Sequence, residues 1–576
     1  LRGSPAVRDS HHRHTVVTGV SWDLPTTCGF NPNHKTTMRL LPQQPRARLF
    51  ATSLVMTAAL AACGGGSDAP PATPTPVVEA TPVSLALEKI GGFTHAGGPS
   101  SAEITAYDPL TKRLFVINGA LASVDVLDLS NPAAPSLITS ISAASIGPGL
   151  AAINSVAVFN GVVALAVEAN PKTSNGVVAW VRASDLTILG TDTVGALPDM
   201  LTFTPDGSHL LVANEGEPNS YGLPDSVDPV GSVSVIALAG VTPTATSVTL
   251  TRTVSSAGFG SFDGQIASLR TAGVRIYGPG ATVSQDLEPE YITVSADSKT
   301  AYVTLQENNA IATVDIASKT ITSVKPLGFK DHSLAGMGMD VSDEDGGTNT
   351  NSGTPLIKIG PVPVKGMYLP DAIASYTAGG QTWLITANEG DAREWDGLIE
   401  EASVSNHCSL GLDPMVFSDA ANQILDSNLG RLNITWTQGY RQDAMGQPVL
   451  FNASGLQDPA GNRLMYDHLY AYGGRSVSIW NEKGEQVWDS GADIEKFLAS
   501  DECMAGPQRD VPCADFFNSN HEEGSALDNR SDNKGPEPEG VTVGTIGEKT
   551  FAFVGLERMG GVLVYDITNP KKPVRM

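Results

Sequence analysis

Residues 197–216 read LPDMLTFTPDGSHLLVANEG, and this pattern is the most informative one in the chain. Two short apolar runs flank the turn-forming sequence Pro-Asp-Gly-Ser, which is typical of a β-hairpin. Asp199 precedes the first run, and Glu215 follows the second. Because the strands of a hairpin are antiparallel, both carboxylates are expected at the same end of it.

The same acidic corner recurs three more times along the chain. It returns in residues 287–308 (LEPEYITVSADSKTAYVTLQEN), 369–390 (LPDAIASYTAGGQTWLITANEG) and 537–558 (EPEGVTVGTIGEKTFAFVGLER). The spacing between the two acids is nearly the same in every copy. Four hairpins therefore bring eight acidic side chains to one face, and cations or basic ligands must offset their repulsion.

The repeats predict an all-β fold, a β-propeller with long loop insertions. Weaker copies begin near Glu103 and Asn154, and a degenerate copy covers residues 469–480. Small antiparallel sheets in series are typical of propellers, and the copies suggest seven blades between residue 85 and the C-terminus. Six or eight blades are also compatible, and a β-sandwich would scatter the acids. Insertions are predicted near residues 217–230, 330–353 and 392–466.

The N-terminal part of the chain, residues 1–84, is not expected to belong to the propeller, which we assign to residues 85–576. Residues 1–37 are interpreted as an extraneous or mis-annotated segment. Residues 38–63 combine arginines, a short apolar run and LAAC, which predicts a lipoprotein signal with Cys63 lipidated. An ordinary signal peptide is the alternative. Residues 64–84, rich in Pro, Ala and Thr, are predicted to be a disordered linker.

Charge and cysteine content point to an exported protein. The chain has a net charge of −25. Residues 1–63 hold seven of its 36 basic and two of its 61 acidic residues, so the remainder has a net charge of −30. Such acidity disfavours nucleic acid and favours divalent cations as partners. Cys503 and Cys513 are predicted to form a disulfide, although either could pair with Cys408.

The repeated acids are candidate ligands for a divalent cation. Carboxylates are hard ligands that suit Ca²⁺, with Mg²⁺ or another divalent ion as the alternative. The candidate metal ligands are Asp199, Glu215, Glu288, Glu290, Glu307, Asp371, Glu389, Asp391, Glu537, Glu539 and Glu557. Some of them could instead cap turns or pair with neighbouring arginines. The acidic run at residues 340–345 (DVSDED) lacks the EF-hand spacing and is interpreted as a solvated loop.

Basic residues interleaved with the acids suggest phosphoryl chemistry. A phosphoesterase needs cationic groups on the phosphoryl oxygens and an acid–base group near a water or nucleophile. The candidate catalytic residues are His332, Arg393, His521, Arg530 and Lys534. Each basic residue could equally form an ion pair with the acids. The sequence has no Gly-x-Ser-x-Gly motif and no P-loop.

Longer motifs resemble the choice-of-anchor I family, also described as mesenchyme-specific cell-surface glycoprotein-like proteins. They lie at residues 213–218, 231–236, 305–311, 328–333, 369–373, 386–395, 530–540 and 555–558. The resemblance implies a propeller displayed outside the cell by varying anchors. Bacterial members often carry an alkaline phosphatase label, and animal relatives are associated with calcium biomineral.

Together these features predict a calcium-binding propeller, exported and lipid-anchored to a bacterial membrane, with metal-dependent phosphoesterase activity. Its partners would be divalent cations and either phosphorylated small molecules or a mineral surface. The alternatives are a non-catalytic calcium- or mineral-binding adhesion propeller and a protein-interaction scaffold.

Overall fold

The computed structural model describes residues 81–98, 101–239, 250–346, 354–405, 410–444, 446–506, 508–520 and 526–576. Predictions about the signal segment, Cys63, Cys408 and His521 lie outside these residues, as does nearly all of the predicted linker.

Six four-stranded antiparallel sheets follow one another along the chain, each with its strands in sequence order. Sheet 1 contains Ala102–Asp108, Arg113–Asn118, Ser123–Asp128 and Ser136–Ser142. Sheet 2 contains Leu150–Phe159, Val162–Ala169, Asn175–Arg182 and Ile188–Ala196. Sheet 3 contains Pro198–Phe203, His209–Asn214, Ser232–Ala239 and Thr251–Gly258. Sheet 4 contains Ile292–Val294, Thr300–Leu305, Ala310–Asp315 and Thr320–Pro326.

The last two sheets complete the series. Sheet 5 contains Ile373–Ala378, Gln381–Asn388, Ser476–Asn481 and Gln486–Asp489. Sheet 6 contains Pro538–Ile546, Lys549–Leu556, Val562–Asp566 and Val574–Arg575. The hairpin at residues 369–390 and the degenerate copy at 469–480, predicted as separate repeats, both supply strands to sheet 5. The count of seven blades is therefore not confirmed.

Apolar clusters fill the five interfaces between consecutive sheets. Between sheets 1 and 2, for example, Phe115 packs in one cluster with Leu165. The second strands are almost wholly buried because sheets cover both of their faces. The first strands of consecutive sheets also lie in contact. Sheets stacked face to face around their first strands form a β-propeller, which confirms the predicted fold class.

Long connections carry the remaining elements. The largest lies within sheet 5, between Gln381–Asn388 and Ser476–Asn481. The minor strands are Phe329–Asp331, Lys365–Met367, Glu394–Trp395, Leu398–Ile399, Glu401–Ser403, Leu410–Leu412, Asn433–Thr435, Leu450–Phe451, Arg463–Tyr466, Tyr470–Ala471, Met504–Ala505 and Val511–Pro512. The α-helices are Ala143–Ile146, Ile266–Ala272, Val283–Asp286, Ala420–Gln423 and Asp493–Leu498. The 3-10 helices are Gly119–Leu121, Gly260–Gln265 and Cys513–Phe516.

None of the helices in the described parts of the chain has the length and apolarity needed to cross a membrane. Cys503 and Cys513 are joined by a disulfide, with their Cα atoms 5.3 Å apart.

Residues 81–96, here called the N-terminal strap, run from sheet 6 to sheet 1. The backbone N–H of Glu548 donates to the Thr81 hydroxyl at 3.1 Å, within the first turn of sheet 6. At the other end, the Asn118 side chain in sheet 1 donates to the carbonyl oxygen of Ala96 at 2.8 Å. His95 also lies 2.7 Å from Asp125. The strap therefore spans the seam between the last and first sheets.

Candidate metal site at the propeller mouth

The hairpin geometry brings each pair of acids to one end of its sheet. In sheet 3, Asn214 is paired with Pro198, so Asp199 and Glu215 emerge side by side. The residue before the proline has a positive φ in three of the four hairpins, at Leu197, Leu369 and Glu537. This recurring sharp corner starts the first strand of those sheets immediately beside the acids.

Asp199, Glu215 and Glu290 converge from sheets 3 and 4 and are here called the mouth cluster. One carboxylate oxygen from each lies within 4.8 Å of the others. Glu215 is only 8% exposed. No hydrogen bond or ion pair to these three carboxylates occurs among the described residues, so their negative charge has no counterpart in this part of the chain.

Burial dominates the electrostatics of the mouth cluster. Burial raises the pKa of Asp199 to about 7, and the nearby Glu217, Glu103 and Glu168 contribute to the shift. Burial, followed by repulsion from neighbouring acids, raises the pKa of Glu215 and of Glu290 well above the usual range. Each carboxylate thus favours a proton or another cation at neutral pH.

Glu389, Glu537 and Glu557 form a second group, here called the paired cluster, whose carboxylate oxygens also lie within 4.8 Å of one another. Basic side chains accompany it. Lys534 lies 3.1 Å from Glu389, and Arg530 lies 2.6 Å from Glu537. Arg558 contacts Glu557 at 3.1 Å and Glu537 at 3.4 Å. Basic side chains thus contact all three carboxylates, although burial still raises the pKa of Glu389 and of Glu557 to about 7.

Further acids link the two clusters electrostatically. Burial raises the pKa of Asp371 well above its usual range, and Glu389, Glu539 and Asp199 add to the shift. Burial raises the pKa of Glu539 to about 7, with repulsion from Glu389 and Glu103. Charges from sheets 1, 3, 5 and 6 therefore influence one another across the mouth.

Sequence reasoning missed Glu103 and Glu168 as members of this acidic surface. Burial raises the pKa of both carboxyls. Glu103 lies at the start of the first strand of sheet 1, and Glu168 lies near the end of the second strand of sheet 2. Those positions correspond to the acids of the stronger hairpins and could have identified them.

Three further predicted metal ligands also belong to neither of these two clusters. Glu288 accepts two hydrogen bonds from Arg393, at 2.7 and 3.0 Å, in a buried ion pair. Asp391 pairs with Lys534 at 3.0 Å. Glu307 is buried, and its Oε2 has no hydrogen-bond partner. Burial raises the pKa of Glu307 to about 7.

The predicted catalytic residues do not form one constellation in the described structure. Arg393 is buried against Glu288 and Asp286. Arg530 and Lys534 belong to the paired cluster. His332 is buried in a connection between sheets 4 and 5, where its Nδ1 lies 2.7 Å from the Met337 carbonyl oxygen. Burial, with the charges of Lys330 and Arg475, lowers the pKa of His332 well below its usual range.

The mouth cluster has the donor chemistry of a hard divalent cation site. Its three carboxylates offer up to six oxygens, and Ca²⁺ takes six to eight oxygen ligands with variable geometry. Neither imidazole nor thiolate is present in the cluster, which disfavours zinc and copper. The unpartnered oxygens therefore fit Ca²⁺ or Mg²⁺.

Six sheets around an acid-lined mouth define a β-propeller with a candidate cation site. The chain belongs to the choice-of-anchor I family, whose domain model matches residues 103–570.

Two animal proteins are similar to parts of this chain. Gigasin-3a of Magallana gigas is 29% identical over 149 residues, which cover 25% of this chain and 42% of that protein. The mesenchyme-specific cell surface glycoprotein of Strongylocentrotus purpuratus is 27% identical over 309 residues, covering 50% of this chain and 35% of that protein. The chain thus spans less than half the length of either relative.

Among solved structures, a periplasmic gluconolactonase of Pseudomonas aeruginosa aligns with 50% of this chain and 63% of its own. The alignment has a TM-score of 0.29 and 15% sequence identity. The sheet topology, rather than this partial likeness, is the basis for the fold described above.

Proposed function

We propose that this protein is a surface-displayed propeller that binds a divalent cation, Ca²⁺ in preference to Mg²⁺, at the mouth cluster. One observation carries the proposal: three carboxylates from two sheets converge within 4.8 Å without a basic partner among the described residues. A cation would offset their mutual repulsion and their burial, which otherwise favour protonation.

Ca²⁺ is the preferred occupant because of the surrounding charge. Glu217, Glu307 and Asp371 raise the pKa values of mouth-cluster carboxyls by repulsion, after burial. Such excess negative charge suits a cation that accepts many oxygens in flexible geometry. Mg²⁺ dehydrates reluctantly and requires octahedral coordination, so we expect it to bind more weakly.

Surface display is inferred from the family and from one relative. The Strongylocentrotus purpuratus relative is itself named a cell surface glycoprotein. The disulfide between Cys503 and Cys513 is consistent with an oxidising, extracytoplasmic environment. The predicted lipid anchor at Cys63 would provide attachment.

Phosphoesterase activity is the second candidate. It is favoured by Lys534, Arg530 and Arg558, which lie in the same acidic surface as the candidate metal ligands. These cations already contact carboxylates, however, and a phosphoryl group would have to displace them. Cation binding without catalysis is therefore our primary proposal.

Calorimetry on chelator-treated protein tests the cation site. We expect Ca²⁺ to bind, Mg²⁺ to bind more weakly, and Glu215→Gln to reduce Ca²⁺ affinity by about tenfold or more because affinity follows ligand charge. Glu548→Gln is the matched control, since it removes an equal charge from an exposed side chain. Unchanged Ca²⁺ affinity in Glu215→Gln would contradict the proposal.

Hydrolysis of an aryl phosphate by the unaltered protein and by Glu539→Gln, with Ca²⁺ and with chelator, separates the two candidates. We expect no Ca²⁺-dependent turnover. Turnover that requires Ca²⁺ and disappears in Glu539→Gln would replace the non-catalytic proposal with the phosphoesterase.

A further inference from the structure

A second acidic group lies in the connections outside the propeller sheets. Residues 340–345 follow sheet 4, and Asp528 precedes sheet 6. Arg475 joins these distant segments, because it donates to the carbonyl oxygen of Asp340 at 2.6 Å and to that of Ser531 at 2.7 Å. The Ser531 hydroxyl in turn donates to Asp528. Arg475 therefore links the start of the acidic run to the segment that contains Ser531 and Asp528.

The acidic run predicted as a solvated loop is buried at Asp340 and Ser342 and half-buried at its other four residues. Asp340 is 1% exposed, and the side chain of Asp345 is 3% exposed. Asp528 is fully buried. Sequence alone could not show this, because the covering residues come from segments far along the chain. The prediction of a solvated loop was wrong.

Several buried oxygens in this region have no hydrogen-bond partner. They are Asp345 Oδ1, Asp528 Oδ2 and the side-chain amide oxygen of Asn518. The Nδ2 of Asn518 donates to the Ser531 hydroxyl at 2.9 Å, which ties this amide to the same network as Asp528. Glu495 accepts from the Asn518 side chain and from the backbone N–H of Asp340, each at 3.2 Å, which brings the acidic run next to this network. Leaving buried polar atoms without partners is costly, so these three oxygens point to an absent electropositive ligand.

The protein's own cations do not serve these oxygens. Arg431 is engaged by Asp343 and Asp532, at 2.7 and 2.8 Å. Arg475 pairs with Glu495 at 3.0 Å. Lys358 is 59% exposed and lies 3.9 Å from the other oxygen of Asp345. A solvated lysine at the limit of ion-pair distance is a weak counterion for the buried Asp345, and no ion pair to Asp528 occurs among the described residues.

We propose that Asp345 and Asp528, together with the amide oxygen of Asn518, hold a second hard divalent cation, Ca²⁺, separate from the mouth cluster. This group of ligands, here called the insertion site, contains fewer carboxylates than the mouth cluster. Water and backbone carbonyls would complete the coordination shell. The ion would join the connection after sheet 4 to the connection before sheet 6.

The electrostatics support this assignment. Burial raises the pKa of Asp528 to about 8, and repulsion from Asp340, Asp345 and Asp343 contributes. Burial likewise raises the pKa of Asp345, although Lys358 opposes the shift. The competing explanation is a proton on Asp528, which would relieve the repulsion without any metal.

Counting bound Ca²⁺ in the full chain tests the insertion site. Chelator-treated protein at pH 7.5 is loaded with Ca²⁺, and the bound metal is measured by calorimetry and elemental analysis. We expect two tightly bound equivalents in the unaltered chain, one in Glu215→Gln and one in Asp528→Asn, with the other equivalent weakened by about tenfold or more in each, and no tightly bound equivalent in the double variant. Asp345→Asn provides a second route should Asp528→Asn fail to fold.

Asp532→Asn is the matched control, because it removes a largely buried carboxylate that already has Arg431 as its partner. It should retain two equivalents. Wild-type stoichiometry in both Asp528→Asn and Asp345→Asn would overturn the insertion site. A single equivalent abolished by Glu215→Gln would also overturn it but leave the mouth site intact. A single equivalent lost only in Asp528→Asn would instead retain the insertion site and refute the mouth site.

Discussion

Replacing Asp199 with asparagine should stabilise the cation-free protein at alkaline pH. Burial and neighbouring acids raise the pKa of this carboxyl from 3.8 to about 7. The folded protein therefore holds a proton there that the unfolded chain releases near pH 4. The associated stability is present at low pH and is lost as the pH rises through about 7. Asparagine, which carries no charge, avoids that loss.

The magnitude follows from the size of the shift. About 3 pKa units correspond to about 4 kcal/mol at 1.36 kcal/mol per unit. Asp199 is partly exposed, so solvent screening reduces this to about 2–4 kcal/mol. An unfolding entropy of about 2.1 cal/mol/K per residue gives a propeller of this size a total unfolding entropy of about 1 kcal/mol/K. The expected difference in Tm is therefore about 2–4 °C.

Thermal denaturation in chelator, between about pH 3.5 and 8, measures the effect. Asp199→Asn should match the unaltered protein only below the unfolded pKa, near pH 3.5, and exceed its Tm at pH 8, whereas Glu548→Gln should follow the unaltered protein throughout. Added Ca²⁺ should reverse the order at pH 8, because only the unaltered mouth cluster gains a bound ion. A lower Tm for Asp199→Asn than for the unaltered protein in chelator at pH 8 would refute the reasoning, since it would mean that the carboxylate has a stabilising partner.

Other parts of the structure give three more predictions. Lys534→Met leaves Glu389 without its cation. We therefore expect the substitution to lower the Tm more at pH 8 than at pH 5, as measured by differential scanning fluorimetry in chelator. Arg393→Met leaves the buried carboxylate of Glu288 without its ion-pair partner and should lower the free energy of unfolding, measured in urea, by about 3–5 kcal/mol. A loss below about 1 kcal/mol would contradict the buried ion pair. Cys503→Ser opens a loop with a sequence separation of 10 and should cost about 3 kcal/mol in the same assay, with an equal loss in Cys513→Ser.

The relative positions of acids within a single hairpin could be predicted from the sequence. Asp199 and Glu215 could be placed together because only two strands and a tight turn separate them. The convergence of Glu290 from the next sheet required only the further inference of a propeller. Sheet 5 was harder, because the long connection between its second and third strands makes one sheet resemble two repeats.

The sequence could not show which acids have partners. Lys534 neutralises Glu389 from 145 residues away, and no local pattern distinguishes Glu389 from Glu215. The burial of residues 340–345 is similar, because Arg475 and Asp528 come from distant segments. Ion pairing across insertions depends on the tertiary packing of loops, whose sequences carry little periodic signal.

The N-terminal strap determines which interface would respond first to a force on the N-terminal side of the chain. Apolar clusters hold the five seams between consecutive sheets, but no such cluster joins sheet 6 to sheet 1 among the described residues. A tensile force applied ahead of Thr81 would first load its contact with Glu548, and then the bond from Arg509 to the Leu87 carbonyl. Pulling would thus peel the strap away from this seam before it strained the other interfaces. Glu103 in sheet 1 raises the pKa of Glu539 in sheet 6 by repulsion, so the seam that the strap spans also borders the acidic mouth.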